Sequence, residues 1–272
     1  MGATLTIIPT VKIGVQRGLK LMTVSKISWL LPPSKLKLSI NDVHVWRVRL
    51  NQTDGRVQQL QQNLSDDERL RVERFHFDRD RRRFIVSQGM LRLIIGDYID
   101  MEPSRLQFYS GHRGKPYLMH SLGNVPLQFN IAHSKEIALY AFTCSREIGI
   151  DVEYVHDMPD AEKIALTTFS SLENKMLQSL PEYQRQEAFF NCWVRKEAYI
   201  KAIGNGLYHA LDRFDVSLAP GEPARLVSIE GSAEQASCWF MKSLTPEDGY
   251  VAALAVKGSD FCPSYWKYPE KN

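Results

Sequence analysis

The chain has 272 residues, 44% of them apolar and 24% charged, with 34 basic against 31 acidic side chains and a net charge of +3. Such a chain is long enough to bury most of its apolar surface, which excludes disorder as its resting state. The near-balance of charge argues against a non-specific nucleic-acid binder, yet it leaves room for a local basic groove that takes a phosphorylated ligand.

The first 41 residues carry six Lys or Arg (Lys12, Arg17, Lys20, Lys26, Lys35, Lys37) and no acidic residue before Asp42. They hold no apolar run long enough to span a membrane, and Lys12 and Arg17 interrupt what would be the core of a signal peptide. Gly2 to Thr6 fits a myristoylation pattern formally. The segment reads as a loose extension with Met22 as a candidate start, set off from the body by Pro32-Pro33. The four cysteines (Cys144, Cys192, Cys238 and Cys262) form no CxxC pair and predict free thiols in a reducing compartment.

Alternation over Val43 to Leu50 predicts a strand. Ser65 with Glu68 forms a capping box for a short helix through Phe75. A longer helix follows over about Arg79 to Ile99, its buried stripe made by Phe84, Met90, Leu91, Ile94, Ile95 and Tyr98. The arginines at its start (Arg79, Arg81, Arg82, Arg83) read as a solvated face. Short strands are expected over Gln107 to Ser110, Gln128 to Ile131 and Ile137 to Thr143, with a tight Gly111–Pro116 turn after the first. Glu147 to Val155 is a further strand, followed by helices over Pro159 to Phe169 and Ser171 to Leu180, the second capped by Ser170 and Glu173. The next helix runs from about Pro181 to Ile203 and stops at Gly204. Strands are expected over Phe214 to Leu218, Arg225 to Ile229, Ala236 to Met241 and Tyr250 to Val256. Strand, helices, strands occurs twice, which points to two similar α+β halves meeting near residues 144 to 148.

Three segments carry chemistry. In Gly149-Ile150-Asp151-Val152-Glu153, strand alternation puts Asp151 and Glu153 on one face, about 7 Å apart, where both can reach one hard cation. Taken alone this is also what an exposed polar face looks like. On the helix Pro181 to Ile203, Glu197 falls inside the apolar stripe marked by Phe189, Trp193 and Ile200. A carboxylate there needs either Lys201, one turn on, or a metal ion. In Phe129-Asn130-Ile131-Ala132-His133-Ser134, His133 joins the face of Phe129 and Ile131 if the strand continues; if the strand ends at Ala132, His133 sits at a sheet edge, free to donate to a phosphate. Gly114-Lys115-Pro116 leaves backbone groups open to a flat base.

Four motifs in this order, Arg-Gly-Lys-Pro (Arg113 to Pro116), Phe-Asn-Ile-Ala-His-Ser (Phe129 to Ser134), Gly-Ile-Asp-Val-Glu (Gly149 to Glu153) and Trp-Val-Arg-Lys-Glu-Ala (Trp193 to Ala198) with Lys201, resemble those of the Sfp-type 4′-phosphopantetheinyl transferases. Arg74-Phe75 and Arg79 to Arg83 are similar to that family's early basic segment. The resemblance covers about Val43 to Val256. It implies an α+β fold whose two similar halves are related by a pseudo-twofold axis, with the active site in the cleft between them. The implied domains are an N-terminal extension over 1–41, an N-terminal half over 42–145, a C-terminal half over 146–258 and a tail over 259–272.

The same resemblance implies transfer of the 4′-phosphopantetheine of coenzyme A to a serine of an apo acyl or peptidyl carrier protein, releasing 3′,5′-ADP. Asp151, Glu153 and Glu197 would hold Mg²⁺, or Mn²⁺ in its place, against the pyrophosphate. Glu197 would also be the base and Lys201 would assist departure of the leaving group. His133, with Arg79 or Arg83, would meet the 3′-phosphate, and Gly114, Lys115 and Pro116 would line the adenine. Ala132 departs from the pattern, since the family often has Ser there. Implied partners are carrier proteins or carrier domains of fatty-acid, polyketide or peptide synthesis, with no nucleic acid and no membrane, for a cytoplasmic monomer. A magnesium-dependent nuclease would share the carboxylates but calls for a broad basic surface. A silent carrier-binding module would be expected to lack one of the acidic residues.

Overall fold

In the computed structural model, which describes residues 27–111, 114–123, 125–204 and 211–269, the chain runs through two successive α+β stretches. The first comprises β1 (Asp42–Arg49), α1 (Asp54–Gln62), α2 (Asp66–Glu73), α3 (Asp78–Ile99), β2 (Phe108–Ser110), β3 (Pro116–Leu118), β4 (Ser121–Leu122), β5 (Val125–Ser134) and β6 (Ile137–Cys144). The second comprises β7 (Ile148–Tyr154), α4 (Ala161–Thr168), α5 (Ser171–Ser179), α6 (Glu182–Ile203), β8 (Phe214–Val216), β9 (Leu226–Ile229), α7 (Ala233–Ser237), β10 (Trp239–Leu244), β11 (Tyr250–Lys257) and β12 (Cys262–Lys267). Both expected capping boxes form, Ser65 with Glu68 and Ser170 with Glu173. Gly204 ends α6 in the left-handed conformation, at φ 69°.

Two sheets lie face to face between helices. One has the order β12-β1-β6-β5-β4 and the other β10-β11-β7. Alternation sorts the side chains into layers. From β6, Ala138, Tyr140 and Phe142 enter a core with α1 and α3, while Ile137, Leu139 and Ala141 enter the layer between the sheets. From β7, Ile148, Ile150 and Val152 fill that same middle layer. The other face of β7 therefore points toward α6, which packs on β7 and β11 over a third core.

Several expectations are corrected. Of the expected tail over 259–272, Cys262 to Lys267 instead pair in parallel with Asp42 to Arg47, so β12 adds a strand to the first sheet from far along the sequence, while residues 270–272 lie outside the described residues. Residues 27–41 are not loose, because Leu38 is buried in the first core and Leu30 bridges to Trp266. The part of the expected extension over residues 1–26, with Met22 and the myristoylation pattern, lies outside the described residues. Ala236 to Met241 divides between α7, capped by the Ser232 side chain, and β10. The strand expected over Gln128 to Ile131 extends from Val125 to Ser134. Helix α1, too polar to show a stripe, was not anticipated; it buries only Val57 and Leu60. Among the described residues no helix is long and apolar enough to cross a membrane, and all four cysteines are free.

Candidate active site

The site exists because β7 and α6 come unusually close. Gly149 shares the α6-facing side of β7 with Asp151 and Glu153, and a Cβ at Gly149 would stand 2.0 Å from the Ala198 carbonyl oxygen and 2.4 Å from the Ala202 nitrogen. Only glycine permits that approach. It brings the helix positions 197 and 201 beside the strand positions 151 and 153. On the other flank, β5 is tied to β7 by side chains of its own motif. Asn130 Oδ1 accepts from the Ile150 N–H at 2.9 Å, and Ser134 Oγ accepts from the Tyr154 N–H at 3.1 Å while donating to Glu153 Oε2 at 2.9 Å.

A cleft of about 510 Å³ opens where β5, β7 and α6 meet. Its walls include Gln88, Ile131, His133, Asp151, Glu153, Trp193, Glu197 and Lys201. All three acidic residues singled out from the sequence thus share one cavity with the lysine and the histidine. Strand β5 continues past Ala132 through Ser134, and its face runs from buried Phe129 through half-buried Ile131 to exposed His133. The histidine reaches the cleft without ending a strand. Ala132, the departure from the family pattern, is buried.

Lys201 Nζ donates to Asp151 Oδ1 at 2.6 Å, so its partner is Asp151 rather than Glu197. Among the cleft's described lining residues, two buried oxygens have no hydrogen-bond partner, Asp151 Oδ2 and Glu197 Oε1. Burial pushes the Asp151 carboxyl above its ordinary range, against the lowering pull of Lys201. Burial also raises Glu153. Glu197 is raised by burial first and then by the charges of Asp151 and Glu153. His133 is lowered by burial, then by Lys201 and Arg83. Three carboxyls held up in this way gain from a cation among them, which would favour the ionised form of each.

Among the described residues no three His, Cys, Asp or Glu side chains close into a cage able to hold a metal ion. The donor set is an open one: two unpartnered oxygens from a strand and a helix, with Glu153 alongside. Such a set suits a hard cation that completes its shell with water or phosphate oxygens, as magnesium does.

The remaining candidates divide. Arg83 has a side chain only 21% exposed, pairs with Glu136, and is near enough to His133 to lower its pKa. Arg79 is not among the cleft's lining residues; its side chain is 72% exposed and pairs with Asp80. Lys115 does not present a free charge. Its Nζ donates to the carbonyls of Ile148 (3.1 Å) and Ala202 (2.9 Å), clamping the β2–β3 hairpin onto the start of β7 and the end of α6. Gly114 is exposed at φ 84°, and Pro116 opens β3. Arg113 lies outside the described residues.

Sequence reasoning passed over Asn130 and Ser134 as positioning groups, although both stand in a quoted motif. It also passed over Gly149, whose signal was a glycine inside a strand.

Comparison with known proteins shows the family. Residues 147–255 match the family described as the 4′-phosphopantetheinyl transferase superfamily, and residues 46–145 match 4′-phosphopantetheinyl transferase, N-terminal. The 4′-phosphopantetheinyl transferase HetI of Nostoc sp. is 40% identical over 241 residues, covering 89% of this chain and 98% of the relative. The 4′-phosphopantetheinyl transferase Sfp of Bacillus subtilis is 30% identical, covering 73% and 84%. The human L-aminoadipate-semialdehyde dehydrogenase-phosphopantetheinyl transferase is 23% identical, covering 73% and 68%. The chain belongs to the 4′-phosphopantetheinyl transferase superfamily, and it is an enzyme of the Sfp type that moves phosphopantetheine from coenzyme A to carrier proteins.

Proposed function

We propose that the transfer takes place in the cleft between β5, β7 and α6, with Asp151, Glu153 and Glu197 as the residues that would hold Mg²⁺, or Mn²⁺ in its place. The observation that carries this reading is the pair of buried, unpartnered oxygens on Asp151 and Glu197. An unsatisfied buried carboxylate oxygen is costly, and two facing one cavity mark a position where a cation is wanted. When bound, the ion supplies charge neutralisation at the pyrophosphate of coenzyme A.

The protein's own groups account for the rest. Glu197 takes the proton of the carrier-protein serine, directly or through one water, as the serine oxygen bonds to the phosphorus bearing the pantetheine arm. The bond from that phosphorus to the second phosphate breaks, and 3′,5′-ADP leaves with the bonding electrons. Lys201 meets the pyrophosphate and eases that departure by electrostatics. His133, with Arg83 behind it, receives the 3′-phosphate, and Gly114 to Pro116 flank the adenine. Every residue in this scheme comes from one chain, so a monomer suffices. Four free thiols fit the reducing cytoplasm, where we place the enzyme. The carriers served are those of fatty-acid, polyketide or peptide synthesis.

The test is the mass of an apo carrier protein incubated with the enzyme, coenzyme A and Mg²⁺. The native protein adds one phosphopantetheine, and Glu197→Gln slows this by about 10²- to 10⁴-fold, the usual contribution of a general base. Near-normal turnover by Glu197→Gln would remove Glu197 from the chemistry.

A further inference from the structure

Helix α6 carries three consecutive charged residues, Arg195, Lys196 and Glu197, and only the last lines the cleft. Neighbouring residues leave a helix about 100° apart, so anchoring two of them fixes the aim of the third. Lys196 is 1% exposed, and its Nζ lies 2.8 Å from Glu173 Oε2, whose side chain is 0% exposed. The same Nζ donates to the carbonyls of Leu211 and Phe214, each at 2.6 Å, so all three of its N–H groups are used. Glu173 also accepts from the Ser170 N–H at 2.9 Å and the Val216 N–H at 2.8 Å. Arg195, on another side of the helix, donates to the Ser217 carbonyl at 2.6 Å and to Ser243 Oγ at 3.1 Å.

Apolar packing alone would not hold this rotation. Most of the α6 circumference is buried, with Phe189, Phe190, Val194, Ala198, Tyr199 and Ile200 all in the core. Greasy contacts are non-directional, whereas a fully satisfied ion pair has one good geometry. A buried pair is poor evidence for added stability, since apolar residues of the same volume often do as well or better. What such a pair can supply is a fixed orientation.

We propose that the Lys196–Glu173 pair is a positioning device for the transfer: it sets the rotation of α6 and thereby aims Glu197 and Lys201 at Asp151 and Glu153. This rests on the reading of Glu197 and Lys201 given above. Neither Lys196 nor Glu173 lines the cleft.

The experiment compares Glu173→Gln, Lys196→Met and the double variant, each as the full chain, by steady-state transfer to an apo carrier and by guanidinium unfolding to fix the folded fraction. Glu173→Gln keeps the shape and part of the hydrogen bonding, so it reports even if Lys196→Met does not fold. In folded protein, kcat falls by about tenfold to a hundredfold, the scale of an ångström's misplacement at a reacting centre. KM for coenzyme A rises by less than kcat falls, because Lys201 and the metal also meet the bound pyrophosphate, whereas the aim of Glu197 at the serine matters only in the transition state. The double variant is no worse than the poorer single, as expected of residues acting as a unit. A folded Glu173→Gln or double variant with kcat within about twofold of the native value overturns the proposal, as does a loss that only tracks the folded fraction. Glu197→Gln, run alongside, separates the two readings. If it retains turnover, the catalytic assignment fails; if it loses turnover while folded Glu173→Gln does not, only the positioning role fails.

Discussion

Replacing Gly149 by alanine tests whether the close approach of β7 and α6 makes the site. The added methyl would sit 2.0 Å from the Ala198 carbonyl oxygen, 2.4 Å from the Ala202 nitrogen and 2.9 Å from the Ala202 Cα. Carbon and oxygen come no nearer than about 3.3 Å even in favourable C–H···O contacts, so strand and helix must part by roughly 1 Å. All three obstacles are backbone, and no side-chain rotation relieves them. Overpacking of this kind costs about 1–3 kcal/mol, and more where the backbone itself must move. The displacement falls on the helix that carries Glu197 and Lys201, so turnover should drop by about 10²-fold, beyond what the lost stability explains. Guanidinium unfolding gives the first quantity and carrier-protein mass the second. Gly55→Ala is the control, because nothing lies within 4 Å of its added methyl. If Gly149→Ala unfolds at the native midpoint and turns over within about twofold of the native rate, close packing does not hold the carboxylates together, and the account of the site is wrong.

Other outcomes follow from single contacts. Asn130→Ala leaves the buried Ile150 N–H without its acceptor and should cost about 1–3 kcal/mol by denaturant titration; a loss below ~0.5 kcal/mol would mean water replaces the side chain. Burial lowers the Lys115 ammonium from its ordinary 10.5 to about 8. Between those values the unfolded chain binds the proton and the folded one does not, so this group makes stability rise with pH over that window and adds no slope below it. Thermal melts from pH 7 to 10 should show the rise, and Lys115→Met should flatten it; identical slopes would remove Lys115 as its source. Deleting residues 260–272 removes the β12 ladder on β1 and the packing of Trp266 and Tyr268 on the first core. A loss of roughly 2 kcal/mol or more is expected, although no cleft residue is touched; an unchanged unfolding midpoint would contradict it.

Legibility in the sequence followed local physics. Helices α2, α3, α5 and α6 announced themselves by caps and periodicity, and Asp151 and Glu153 by strand alternation. Strand β12 was hidden because its partner β1 is distant in sequence and because Pro263 inside it argues against a strand; it is tolerated at a sheet edge. Glu197 stood out as a carboxylate within an apolar stripe, but α6 is buried on most sides and has no single stripe. That is also why Arg195 and Lys196 gave no signal: a charge satisfied by carbonyls and a remote carboxylate looks, in one dimension, like a charge in water. Arg79 and Arg83 were indistinguishable in the sequence, and only tertiary packing separates the exposed one from the one beside His133.

Because β12 flanks β1 from far along the sequence, the first sheet cannot be finished until both stretches of the chain have emerged from the ribosome. Until β12 is translated, β1 exposes a row of unpaired amides and carbonyls to any strand in the crowded cell. Severing the two stretches into separate genes would perpetuate that vulnerability, so reconstitution of the enzyme from fragments should succeed only when the residues of β12 are supplied alongside the first stretch.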